Sequence, residues 1–124
     1  GERKNPWYNC VMQLVEKSIS LEELKTMSSR MFGGLVKAVV DIKKGIMVVD
    51  APMHADEEHY LLTQGSQQDD LWGCNMYPEE GGDDFIEFDS MINLRPRLNN
   101  FSRDVENEEI REKIRHIINT LVTK

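Results

Sequence analysis

A chain of 124 residues with 40% apolar content is long enough for one domain around one core. Its formal charge of −7 and pI of about 4.9 exclude a broad phosphate-tracking surface, which needs many Lys and Arg contacts, and suit a protein that meets cations or basic partners. No apolar run approaches the roughly 20 residues that span a bilayer, and no apolar segment near the start suggests export. The expected compartment is therefore cytoplasmic, with no membrane partner and with nucleic acid disfavoured.

"GERKNPWYNC" has no periodicity. Residues 1–11 are expected to be a flexible leader, added or processed, with Met12 the natural start and residues 12–124 a single α+β domain. "VMQLVEKSI", at 11–19, alternates Val11, Gln13 and Val15 against Met12 and Leu14, which predicts a strand. Ser20 followed by Glu23 is a capping box, with Ile19 and Leu24 placed for a hydrophobic staple. Leu21, Leu24, Met27, Ser28 and Met31 recur at helical spacing, and Gly33-Gly34 ends that helix.

"LVKAVVDIKKGIMVVDA" reads as a hairpin. Val36, Ala38, Val40 and Ile42 point one way, and Lys43-Lys44-Gly45 supplies the turn. Pro52 stops the return strand. Residues 55–63 then allow about two helical turns, ended by Gly65. "LWGCNMYP" predicts a strand with Trp72, Cys74 and Met76 on a core face, and with Gly73 allowing close approach of backbone or ligand. "FIEFDSMINLRP" predicts another. Its alternation sets Ile86, Phe88, Ser90, Ile92 and Leu94 against Phe85, Glu87, Asp89, Met91, Asn93 and Arg95. Last, Asn107 caps a helix whose stripe is Ile110, Ile114, Ile117, Ile118, Leu121 and Val122.

Most strands are joined by hairpins, with too few residues for repeated crossovers. The expected fold is α+β: a single antiparallel or mixed sheet of four to five strands, two main helices packed on one face, and a short third helix. The second face, carrying Glu87, Asp89, Asn93 and Arg95, is expected to be open to water, a ligand or a second subunit.

The phrases "VVDIKKGIMVVDAPMHADEE", "GSQQDDLWGCNMYP" and "IEFDSMINLRP" together resemble a family of small prokaryotic proteins catalogued as a domain of unknown function. The resemblance runs from Met12 to about Val122 and leaves the leader outside. It implies no activity and no functional residues. Its implication is negative: the chain does not look like a known enzyme family or a known nucleic-acid-binding module.

"HADEEH" packs His54, Asp56, Glu57, Glu58 and His59 together. A zincin site needs two histidines four apart on one helical face, and these are five apart, about 140° around the axis. What remains as candidate metal ligands or proton carriers is His54, Asp56 and Glu58, beside the bland reading of acids favoured at a helix start. His116 is expected to face solvent. Glu87 and Asp89 form the second candidate pair. On a strand their Cα atoms would lie about 6.6–6.8 Å apart, close enough to converge on one Mg²⁺ or Ca²⁺. Asp41 or Asp50 would be able to join from the hairpin. His54, Glu87 and Asp89 are therefore the catalytic candidates, and Asn75, Tyr77, Asn93 and Arg95 a ligand or partner surface. Cys10 and Cys74 make no CxxC unit and read as free thiols. No phosphate-cradling glycine motif occurs. Arg95, Arg97 and Arg103 around Phe101 form the one basic run.

Three functions compete. First stands a non-enzymatic protein that binds itself, as a dimer, or another protein. The alternatives are a divalent-metal-dependent hydrolase using the sheet carboxylates, and weak nucleotide or RNA binding through Arg95–Arg103.

Overall fold

β-branched residues in "VKAVVD" and "IMVV" build the middle of the sheet, where both faces are buried and side chains pack against neighbours on each side. A computed structural model describes residues 2–5, 10–31 and 33–124. Its strands are β1 (Glu2–Asn5), β2 (Cys10–Val15), β3 (Ile19–Ser20), β4 (Val36–Asp41), β5 (Ile46–Val49), β6 (Leu71–Met76), β7 (Ile86–Glu87) and β8 (Val122–Thr123). The helices are α1 (Leu21–Ser29), α2 (His54–Thr63) and α3 (Glu108–Leu121). Six strands form one sheet in the order β1-β2-β5-β4-β6-β7, every pairing antiparallel. β3 and β8 form a separate parallel pair of two residues each.

The α+β class, the antiparallel sheet and the one-sided pair of long helices are as expected. Residues 2–5, within the stretch expected to be a leader, add an edge strand against β2. The remainder of that stretch at 1 and 6–9, and the Cys10 thiol, lie outside what is described. The strand expected over 11–19 divides instead. β2 ends at Val15, and Ile19–Ser20 turns away to meet the chain's last residues.

Local signals place the helices. The Ser20 hydroxyl accepts the Glu23 N–H at 3.0 Å and caps α1. The Asn107 side chain does the same for α3 through Ile110 N–H. Leu24 and Met27 of α1, with Ile114, Ile117, Ile118 and Leu121 of α3, pack onto Val36, Ala38, Val40, Met47, Val49, Trp72, Cys74 and Met76. Each fully buried aliphatic side chain there contributes about 1.5–3 kcal/mol. At the hairpin end, the buried Asp41 carboxylate accepts Lys43 N–H and Lys44 N–H, both at 2.9 Å, and Gly45 takes φ +70°. Ser66 donates to its other oxygen at 2.7 Å, tying α2's exit to the turn.

The second face of the sheet is not open. α2 lies across it, and Leu61, with Tyr60 and Ile92, packs on Met12, Leu14, Val39, Val48, Ala51 and Leu71. The expected strand over 85–96 is also corrected. Only Ile86–Glu87 pairs with β6. After it the chain turns through short 3-10 segments at Met91–Asn93 and Pro96–Leu98. No helix among the described residues is long and apolar enough to cross a membrane.

Candidate functional site

Two neighbouring regions hold the residues singled out from the sequence. One is a polar cluster where the start of α2 meets β4, β6 and β7. The other is the irregular segment from Asp89 to Val105.

The α2 start is set by Pro52 and by the leucine spacing behind it. Leu61 is buried, so residues three to four and seven positions earlier turn inward with it. Those are Glu57 and His54, and both are buried. His54 Nε2 donates to the Cys74 carbonyl on β6 at 2.8 Å. A carbonyl only accepts, so Nε2 carries the proton and Nδ1 remains an acceptor. Burial lowers the His54 pKa from 6.5 to about 4, partly offset by that hydrogen bond. His54 is therefore neutral at pH 7.

Glu57 has no solvent exposure. Its Oε2 accepts the Ala51 N–H at 3.0 Å, and its Oε1 has no hydrogen-bond partner among the described residues. Burial holds this carboxyl well above the ordinary carboxylate range, against a smaller opposing pull from the Ala51 N–H and Lys37. Next to it Asp50 sits at φ +77°, a conformation few non-glycine residues adopt, and its carboxylate pairs with Arg30 at 2.8 Å. Burial also pushes the Cys74 thiol far above its usual pKa, which leaves it a core residue and not a nucleophile.

Asn75, Tyr77 and Glu87 come together. The Asn75 amide donates to Glu87 Oε1 at 2.9 Å, and the Tyr77 hydroxyl donates to the same oxygen at 3.0 Å. Partial burial, with the Glu87 carboxylate beside it, raises the Tyr77 pKa. Asp89 instead turns to Arg103, whose Nε donates to it at 2.5 Å. Glu87 and Asp89 thus have different partners. Asp56 is buried, Glu58 reaches Arg95 at 3.4 Å, and His59 and His116 are exposed. Asp41 is taken up by its turn. Among the described residues no group of three or more His, Cys, Asp or Glu side chains is placed to hold one metal ion.

Asn93 and Arg95 do not lie on an open surface: they are 0% and 6% exposed. Their side chains hold the segment after β7 in place. Asn93 Oδ1 accepts Gly73 N–H at 2.8 Å, and its amide donates to Gly73 O at 2.9 Å and Arg103 O at 3.0 Å. One side chain thus replaces the strand that would otherwise continue the ladder along β6. Asn100 donates to the carbonyls of Asn93, Ser102 and Asp104 and accepts Glu106 N–H. Arg95 donates to Leu71 O and lies over the Trp72 ring, 4.9 Å from its centroid. Gly73 makes the close approach possible, because a Cβ there would stand 2.6 Å from the Ser90 side chain. Held this way, the segment turns Met91, Leu94 and Phe101 outward.

Two features were missed at the sequence level. Glu57 was grouped with Asp56 and Glu58 as one of the acids at a helix start, although its spacing from Leu61 marks it as inward. The outward Met91 and Leu94 were hidden by an alternation that mimics a strand.

No curated protein and no solved structure matches the chain. A family model described as "Protein of unknown function (DUF5674)" matches residues 13–121, most of the chain and all the elements that build both regions. The chain belongs to that family.

Proposed function

We propose that the protein is a non-enzymatic docking domain that binds protein, a second copy of itself or another chain, through the face made by α2 and residues 91–101. One observation carries this reading. Met91, Leu94 and Phe101 are 61%, 44% and 63% exposed on a segment with little regular structure, yet its backbone is pinned by the buried Asn93, Arg95 and Asn100. An irregular segment held rigid has already lost the conformational entropy that a partner would otherwise have to remove. Large apolar side chains offered from such a scaffold are the composition of an interface centre. Met91 adds an unbranched side chain that adapts to varied apolar partners.

The test has two arms. Light scattering over a concentration series reads self-association. Selection of displayed random peptides on the immobilised domain reads binding to other chains. The expected result is a mass above monomer or an enriched peptide set, lost in the Met91→Glu, Leu94→Glu double variant and kept in Lys113→Glu on exposed α3 surface. A chain that stays monomeric and enriches no peptide refutes the reading. So does association that the double variant leaves unchanged.

A further inference from the structure

The large apolar side chains that stand exposed among the described residues are Met53, Leu62, Met91, Leu94 and Phe101, and each belongs to α2, its entry or the segment after β7. Met91 and Leu94 line an open groove of about 440 Å³ together with Glu58. Leu62 lies one turn on from Glu58, on the same side of α2. The charges at this groove cancel. Arg95 pairs with Glu58 at 3.4 Å, and both side chains are largely buried. Arg97 pairs with Asp69 on the rim, where each is about half exposed. Two cations and two anions sum to zero, so the formal surplus of −7 is carried outside these four residues. Salt screens exposed charges beyond about 8 Å in physiological solution, so the charges that meet at a contact decide whether two acidic copies tolerate each other. A balanced lining sets no like charge against an apolar contact between them.

We propose that this face docks on the same face of a second copy of the chain about a two-fold axis. This rests on the docking reading above and names the partner. A basic partner finds no unpaired carboxylate among these charges, and an acidic one finds no unpaired cation. A second copy brings the same balanced set. A two-fold contact is isologous, so one arrangement covers the apolar side chains of both copies at once. The exposed rim pair is self-complementary in the same way: Arg97 of one copy meets the partner's Asp69, and its Asp69 meets the partner's Arg97. The buried Arg95–Glu58 pair stays within each copy and holds the groove wall.

Sedimentation velocity of the full chain over a concentration series reads the self-association. The wild-type chain is expected to pass from monomer to dimer and stop there, and the Met91→Glu, Leu94→Glu double variant is expected to stay monomeric. Arg97→Asp and Asp69→Arg, both at half-exposed positions, each create two like-charge contacts in the dimer. Each alone is expected to weaken association about tenfold. An equimolar mixture of the two is expected to restore the dimer, because every rim contact then joins unlike charges. Loss of structure in either variant would not give that rescue. A chain that stays monomeric yet enriches displayed peptides on this face overturns the second copy as partner and leaves the docking reading standing. A monomer that enriches none overturns both. A dimer that either charge variant leaves unchanged, a mixture without rescue, or a mass that keeps growing past the dimer overturns the two-fold arrangement.

Discussion

Glu57 and His54 lie one helical turn apart, and burial moves their proton affinities in opposite directions. Glu57 keeps its proton in the folded chain to a pH well above the usual carboxylate value of 4.5. A raised folded pKa gives stability that is complete below the unfolded value and is lost as pH rises toward the folded one. The loss runs at up to about 1.4 kcal/mol per pH unit. His54 does the reverse. Its pKa falls from 6.5 to about 4, so its contribution is complete above 6.5 and is lost as pH falls toward 4. Over that interval it amounts to about 3 kcal/mol. As pH rises above 4.5 the two slopes oppose each other: the His54 contribution grows until 6.5 while the Glu57 contribution is progressively lost. Glu57→Gln keeps an acceptor for the Ala51 N–H and removes the titration. Urea unfolding of both proteins from pH 4.5 to 9 measures this, and the difference between the two curves removes the contribution of all other charges. Relative to the variant, the wild-type chain should lose stability progressively as pH rises above 4.5. The variant should rise to pH 6.5 at about 1.4 kcal/mol per pH unit and then level. Parallel curves over the whole range would refute the burial argument for Glu57.

Gly73→Ala sets a Cβ 2.6 Å from the Ser90 side chain. It should cost about 1–3 kcal/mol in chemical denaturation, with part recovered in a Gly73→Ala, Ser90→Gly double variant. Asn93→Ala leaves both backbone groups of Gly73 without their partner, and unfolding should show a loss of roughly 2–5 kcal/mol. A loss under about 0.5 kcal/mol would mean that water replaces the side chain freely. Cys74 is fully buried with a raised thiol pKa. Native protein should therefore modify Cys74 only as fast as it opens, read by mass spectrometry of the peptide holding Cys74, and rapid modification at pH 8 would contradict this.

Much of the fold was legible because its signals are local and repeated. The hairpin needed only the alternation of Val36, Ala38 and Val40 and a glycine at the turn. α1 and α3 needed a cap residue and a stripe. The strand over 85–96 failed for a physical reason. Period-two alternation reports which residues share a face only where the backbone stays extended beside a strand. Asn93 and Arg95, set by the alternation on the face expected to be open, turn inward instead, and Asn93 spends its amide on Gly73 in place of a neighbouring strand. No propensity encodes a side chain that substitutes for a ladder. Gly73 was the available clue, since a glycine inside a buried strand marks a close approach.

The site was harder to read because composition and geometry pull apart there. Counting carboxylates brought Asp56, Glu58, Glu87 and Asp89 forward as ligands, yet the fold gives several of them separate partners: Arg95 for Glu58, Asn75 and Tyr77 for Glu87, Arg103 for Asp89. Charge pairs of this kind are invisible before the topology is known. The buried groups follow the opposite logic. Glu57 and His54 are inward because Leu61 is inward, so their placement is fixed by one apolar anchor and helical spacing, while their chemistry is fixed by what the sheet places opposite them. The same division bears on Met91 and Leu94. Leu94 lies between the inward Asn93 and Arg95 and turns to solvent, whereas Met91 is carried outward on the 3-10 turn at Met91–Asn93, held from inside by the buried Ser90 and Asn93. The buried polar bonds are what give the apolar face a fixed shape.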